Sequence, residues 1–298
     1  MNYVDGIEVM FQGILRVRTK LVASLWYRNR LMVIGLFFAV FLAVACQRNE
    51  GKRIFETGLR FWEEGKYDDA IQNFVALTKA FPEHELVDDS LFWIANIYEQ
   101  YLDDPGQAVR FYRSLNNSFA RSSYHFQSML GLARVRAQQG DEGKRKAIRI
   151  YKRLQTLKKT PLEEESWKRN QFKLPQLFFE LKQYEQARAE LKRIILSETN
   201  PDLIAKAYYK IGRSYYIEGK IDLAKVTFSE ADKKFDHSKK SLDSAISLAD
   251  IYEEIGELSS AITIYKTILD RLERKEIFYQ LAVDRIKKLK LRLRKTNT

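Results

Sequence analysis

Gly212-Arg213-Ser214-Tyr215, followed nine residues further on by Ala224-Lys225-Val226-Thr227-Phe228-Ser229-Glu230-Ala231, decides the fold. Offsets of three within the first stretch and of four and three within the second put Gly212 with Tyr215, and Ala224 with Phe228 and Ala231, on single helical faces. Between them lies Gly219-Lys220-Ile221-Asp222-Leu223, in which the glycine ends one helix and a short polar residue caps the next. The unit predicted is a pair of helices packed through a small residue and a ring.

The second helix recurs along the chain. Ala70, Ala108, Ala147, Ala187, Ala224 and Ala261 are spaced by 38, 39, 40, 37 and 37 residues. Four residues later stand Phe74, Tyr112, Tyr151, Leu191, Phe228 and Tyr265, and three after those Leu77, Leu115, Leu154, Ile194, Ala231 and Ile268. Twelve residues before the alanine, Gly58, Gly212 and Ala249 are followed at three by Phe61, Tyr215 and Tyr252, and Gly65 and Gly256 repeat the turn. Pro82 and Pro201 fall at unit ends, where a helix need not continue. This small, aromatic, alanine, aromatic, aliphatic order resembles the tetratricopeptide repeat over roughly residues 51 to 270. The resemblance implies an all-α tetratricopeptide-repeat superhelix of about six helical hairpins plus a C-terminal capping helix.

Pro175 interrupts the series where the fourth unit needs its small helical residue, so that unit's first helix is expected to begin or kink there. With Thr160-Pro161 and Glu163-Glu164-Glu165 nearby, read as a solvated helix start, residues 159–175 form a candidate joint. It would lie between a first three-repeat half, 46–158, and a second, 176–270; a rigid continuous array is the alternative. Residues 271–298 form a basic terminal segment.

The 298 residues hold 51 Lys and Arg against 39 Asp and Glu, a net charge of +12, unevenly placed. Residues 46–270 carry 36 basic and 34 acidic side chains, whereas residues 271–298 carry ten and three. A balanced body argues against a nucleic-acid surface spread over the fold. The excess sits on a helix-periodic tail, with Phe278, Ala282, Ile286, Leu289 and Leu293 on one side and Arg285, Lys287, Lys288, Lys290, Arg292 and Arg294 largely elsewhere. The apolar side would cap the array, and the basic side would suit an acidic partner or an anionic envelope polymer.

Cys46, the single cysteine, closes the uncharged apolar run Leu31 to Ala45, which follows Arg16, Arg18, Lys20, Arg28 and Arg30. That order is an export signal, and the run is short for a membrane span, which needs roughly 20 residues. Ala43-Val44-Ala45-Cys46 resembles the lipobox of bacterial lipoproteins, which implies lipidation of Cys46 and, with Gln47 following it, the periplasmic face of the outer membrane; Leu42 stands one place early for the pattern. An uncleaved inner-membrane anchor is the other reading. Within the signal segment 1–45, residues 1–30 are unusually long for an n-region, and Ile7-Glu8-Val9-Met10-Phe11-Gln12-Gly13 resembles a protease site used in recombinant tags; a mis-called start codon explains the length equally well.

Catalytic chemistry is not in evidence. His84, His125 and His237 lack cysteine or carboxylate partners at metal-ligand spacing and read as surface histidines, so no metal is expected. Gly140-Asp141-Glu142-Gly143-Lys144 lacks the spacing and the Ser or Thr of a phosphate loop, and reads as a turn between helices. No nucleophile elbow occurs. The chain is expected to be no enzyme and to need no cofactor.

Repeats of this kind bind partner proteins along a concave groove formed by their first helices. By the family's geometry the groove positions are Phe55, Leu59 and Trp62; Phe92 and Asn96; Arg134; Gln176 and Phe179; and Tyr209, Arg213 and Tyr216. Rings and arginines suit an amphipathic or extended segment. The lysine and asparagine set with which chaperone-binding members hold a C-terminal carboxylate is not legible. Gly65-Lys66-Tyr67-Asp68-Asp69-Ala70 through Pro82 to Leu91-Phe92-Trp93 resembles periplasmic envelope lipoproteins of the BamD and CpoB type. The resemblance implies a non-catalytic, lipid-anchored scaffold, in outer-membrane β-barrel assembly or as a pilotin-like factor for a secretin. A signal-anchored chaperone module at the inner membrane is the alternative.

Overall fold

The computed structural model describes residues 47–235, 239–272 and 276–296; the signal segment 1–45, Cys46 and His237 lie outside the described residues. The described chain is helical, with no strand. Residues 47–63 form α1. There follow α2 (Tyr67–Ala80), α3 (Val87–Gln100), α4 (Pro105–Ser118), α5 (His125–Ala137), α6 (Gly140–Thr156), α7 (Pro161–Asn170) and α8 (Lys173–Glu180). The series closes with α9 (Tyr184–Ser197), α10 (Pro201–Ile217), α11 (Ile221–Lys234), α12 (Lys239–Glu254), α13 (Leu258–Arg271) and α14 (Ile277–Thr296). By packing the chain divides into two compact units, one up to Ser128 and one from Met129.

Every position of the second-helix stripe is buried, from Ala70, Phe74 and Leu77 on α2 to Ala261, Tyr265 and Ile268 on α13. Each alanine is fully enclosed because a larger side chain there would push the paired helices apart. The rings fill the space that the small residues of the first helices leave open. A Cβ added at Gly58 would lie 2.8 Å from the Phe74 ring, and one at Gly212 would lie 2.6 Å from the Phe228 ring. Two stripe tyrosines find an acid on the first helix: Tyr112 donates to Glu99 at 2.7 Å, and Tyr265 donates to Asp250 at 2.8 Å. That bond and burial raise the Tyr265 pKa, burial most.

Consecutive helices pack on one another, α2 on α3 and α3 on α4 in the first unit and each neighbour from α8 to α14 in the second, where the first helices α10 and α12 also meet and α6 packs on α8. The turns inside the first, fourth and fifth hairpins share one hydrogen-bonding plan. Lys66 N–H donates to the Phe61 carbonyl at 2.8 Å and Gly65 N–H to that of Trp62 at 3.0 Å; Lys220 and Gly219 repeat the pair on Tyr215 and Tyr216, both at 2.9 Å. This double bond closes a helix end when the residue between is left-handed, and Gly65, Gly219 and Gly256 have φ of 73°, 72° and 82°. In the fourth hairpin Lys182 takes that position at φ 58°, with its N–H and that of Gln183 bonded at 2.9 and 2.8 Å to Phe179 and Phe178.

The expected polar caps after these glycines do not form. Lys66, Lys220 and Glu257 occupy the N-cap positions without a side-chain cap, because a long side chain rather than a short acceptor follows each glycine. Asp68, Asp69 and Asp222 instead place charge in the first helical turn, where the helix dipole favours it. Side-chain caps occur at three other helix starts, Asp104 on α4, Thr160 on α7 and Asn200 on α10, each a short acceptor followed by proline. Gly140 to Lys144, expected as a turn, is the opening of α6. A Cβ on Gly143 would come within 2.3 Å of the Arg136 carbonyl, so glycine there permits close approach of two backbones.

Residues 159–175 contain α7, opened by a reciprocal Thr160–Glu163 capping box and burying none of its side chains. Pro175 sits in the first turn of the eight-residue α8, where its missing N–H costs nothing. At the end of the chain α14 packs on α13 and buries Ala282, Ile286 and Leu289. Phe278, expected on that apolar side, is 42 % exposed, because the buried cluster begins only at Ala282.

Gly212→Ala is expected to destabilise the chain by about 1–3 kcal/mol in chemical denaturation, overlap with the Phe228 ring outweighing the alanine's helix preference. Lys182→Gly, which relieves a left-handed non-glycine residue, is expected to stabilise by about 0.5–1 kcal/mol in the same measurement.

Candidate functional site

In the first unit the first helices α1 and α3 carry an array of rings. Phe55 is buried and tilts against Phe74 at 5.4 Å. Trp62 is half-buried 4.6 Å from Trp93, with Tyr101 edge-on, and Phe92 stacks on Tyr124 at 4.4 Å. Asn96 is half-buried beside them. The rings pack mostly on one another, and each edge is worth about 0.5–1.5 kcal/mol beyond its buried area.

The opening turn of α3 brings Asp88 and Asp89 together near Tyr124. Burial, and then repulsion from Asp88, raise the Asp89 carboxyl to about 6. Tyr124 is raised in turn by burial and by both aspartates. Two half-buried acids side by side disfavour ionisation of one of them.

In the second unit, Arg134 on α5 is half-buried. Gln176 on α8 is exposed and donates to Glu180 at 3.1 Å, while Phe179 meets the edge of Tyr184 at 5.7 Å. On α10, Tyr209 tilts against Phe228 at 5.9 Å, Arg213 is exposed, and Tyr216 is exposed with its hydroxyl donating to Glu254. Tyr209, Arg213 and Tyr216 thus share α10, next to Gln176 and Phe179 on α8.

The structure adds residues that sequence reasoning left out. Lys206 and Lys210 stand seven and three residues before Arg213, at helical spacing on its side of α10, and Lys240 from α12 closes on them. Lys206 places its ammonium 4.3 Å from the centre of the Phe172 ring, and Lys240 lies 5.7 Å from that of Tyr209. Burial, and then Lys240 and Lys173, lower the Lys206 pKa; burial, and then Lys206, Arg213 and Lys240, lower that of Lys210. The spacing of 206, 210 and 213 was visible in the sequence, but the approach of Lys240 from another repeat was not.

Of the seven basic residues on α14, Arg285 lies 3.3 Å from Glu253 and Arg292 also pairs with Glu253, so both face the fold. Lys287, Lys288, Lys290 and Arg294 are exposed. His84, expected at the surface, is half-buried and tied by Nε2 to the Arg48 carbonyl at 3.0 Å, with Nδ1 accepting from Leu86 N–H at 3.1 Å, because it bridges α1 to the loop before α3. His125 is half-buried as well. Among the described residues no cluster of metal-ligating side chains occurs, and no helix is long and apolar enough to cross a membrane.

Paired helices joined by a left-handed turn, with a small-residue seam and an accessible first-helix side, define a helical-repeat protein of the kind built to bind other chains. Residues 89–122, which span α3 and α4, and residues 205–233, which span most of α10 and α11, match models of the tetratricopeptide repeat. The chain therefore carries tetratricopeptide repeats. The C-terminal part of a repeat-containing protein from Cytophaga hutchinsonii shares this fold, with a TM-score of 0.57, 16 % identity, and coverage of 83 % of this chain and 92 % of that one. A tetratricopeptide repeat protein from Parabacteroides merdae gives 0.42 at 14 % identity over 81 % of this chain and 99 % of its own. MamA gives 0.48 at 18 % over 62 % and 91 %. No curated protein matches the sequence.

Asp89 is raised in the folded state from 3.8 to about 6, so its ionisation opposes folding above that value, and the penalty fades as pH falls between about 6 and 4. Asp89→Asn is expected to stabilise the chain by about 1 kcal/mol at pH 7.5, discounted for partial solvation, with the gain over the parent shrinking towards pH 4 in denaturation measured across that range.

Proposed function

We propose that this chain is a non-catalytic scaffold that binds partner proteins on the first-helix side of its repeats. It is held by acylation of Cys46 at the periplasmic face of the outer membrane. The observation that carries the binding reading is the asymmetry of each hairpin. The second helices bury their stripe completely, whereas the first helices leave Gln176, Arg213 and Tyr216 to solvent. A side that holds polar and aromatic groups ready at its surface, on rigid helices, is suited to recognition. The anchor reading is supported by the order of basic residues, apolar run and small residues before Cys46. Within the envelope, assembly of outer-membrane β-barrels is the setting we favour, on the resemblance of residues 65–93.

Labelled palmitate is expected to enter the chain in a bacterial host and to be lost on Cys46→Ser; incorporation that survives the substitution would end the lipoprotein reading. Photo-crosslinkers placed at Arg213 and Tyr216 in intact cells are expected to capture one envelope protein, while crosslinkers at Arg149 on the second helix α6 do not. Equal capture at all three positions would refute a first-helix binding side.

A further inference from the structure

We propose that the side of the second unit formed by α8, α10 and α12 receives a short acidic segment of a partner protein, held by Lys206, Lys210 and Arg213 with Lys240 at its edge. The proposal rests on the protein-binding reading above and names the chemistry of the partner.

Lys206, Lys210 and Arg213 follow one another at four and three residues, a basic strip of about 10 Å along α10 at 1.5 Å per residue. Every charge close enough to perturb Lys206 or Lys210 is positive. Among the described residues, neither lysine nor Arg213 is paired with a carboxylate. Lys206 has the face of Phe172 beneath it instead, and Lys240 alone is neutralised, by Asp243 at 2.5 Å.

Acids on α12 and at the end of α10 are engaged elsewhere. Asp250 accepts from Tyr265, Glu253 holds Arg285 and Arg292, Glu254 accepts from Tyr216, and Glu218 holds Arg188 and Lys220. Like charges crowded on a partly desolvated surface oppose folding. Such a cluster on an otherwise charge-balanced body is the mark of a site that is completed by an anion from outside.

The anion's form follows from the dimensions. In an extended segment alternate side chains on one side repeat at about 7 Å, so two or three carboxylates span the strip. Phe172 and Tyr209, which lie beneath Lys206 and Lys240, offer apolar contact between the charges, as a protein segment requires. A nucleic acid would need a longer positive track, and Glu254 with Asp250 lies one repeat on.

The test uses the full chain in detergent and a fluorescein-labelled, C-terminally amidated peptide of roughly twelve residues, with glutamates at alternate positions and two phenylalanines. Its partner peptide carries glutamine for each glutamate. In anisotropy titrations at about 150 mM salt, the acidic peptide is expected to bind at least about tenfold more tightly than the glutamine peptide. The triple variant Lys206→Gln, Lys210→Gln, Arg213→Gln is expected to abolish that difference. Arg113→Gln, Arg145→Gln and Arg149→Gln, which remove three exposed cations from second helices, are expected to keep it.

Equal affinity for both peptides, or undiminished binding by a triple variant whose circular dichroism matches the parent, overturns the proposal. So does a single-stranded oligonucleotide of matched charge that binds as tightly and depends on the same three residues. If the triple variant keeps the Tyr216 crosslink to the parent's captured protein, the acidic-segment proposal fails and the scaffold reading stands. Absence of any crosslink in the parent is the failure of the scaffold reading itself.

Discussion

A ring seated on a residue that has almost no side chain is the contact on which the first and fifth hairpins depend. Phe74 against Gly58 and Phe228 against Gly212 leave no room even for a methyl group, so the two helices approach as closely as their backbones allow. Close approach lets the stripe alanines disappear from solvent entirely, and burial of a ring and an aliphatic residue beside each alanine contributes about 1.5–3 kcal/mol per side chain. An isolated helix of fourteen residues is marginal in water, and the seam is what holds it.

The same economy shapes the turns. A helix that must reverse within a few residues needs a left-handed position, supplied by Gly65, Gly140, Gly219 and Gly256, by Asp103 in the second hairpin and by Lys182 in the fourth. The turns at Gly65, Gly140, Lys182, Gly219 and Gly256 carry no side-chain cap, and such caps appear before α4, α7 and α10, where a short acceptor precedes proline.

Charge is handled differently on the two sides of the second unit. Toward the packing, ions are matched: Arg188 is nearly buried, yet holds Glu218, donates to Ser214 at 3.1 Å and lies 4.4 Å from the centre of the Tyr215 ring. Its bond keeps the Glu218 carboxyl below the usual range. A buried arginine is tolerable only with such complete partnering. On the first-helix side of α10 cations gather without that matching, and the contrast within one helix pair is what separates structural charge from available charge.

Fold class and hairpin register were legible in the sequence, because the 37-to-40-residue spacing of the alanines follows directly from the short-range geometry of a helix pair. The basic, apolar and small-residue order before Cys46, on which the proposed anchor rests, is likewise a matter of local order along the chain. Particular roles were less accessible. Tyr209 and Phe179 occupy first-helix positions, yet spend much of their surface on Phe228 and Tyr184, and only packing distinguishes such a ring from an exposed one. Arg285 and Arg292 read as free cations until Glu253, more than thirty residues away, came to lie beside them. By itself the sequence determined the repeat, its seam and its turns, since these depend on residues within a few helical turns of each other. Only the tertiary structure decided which charges meet, because Lys240 joins Lys206 and Lys210 across separate repeats, and the interaction of charges depends on distance in space, which residue order does not record.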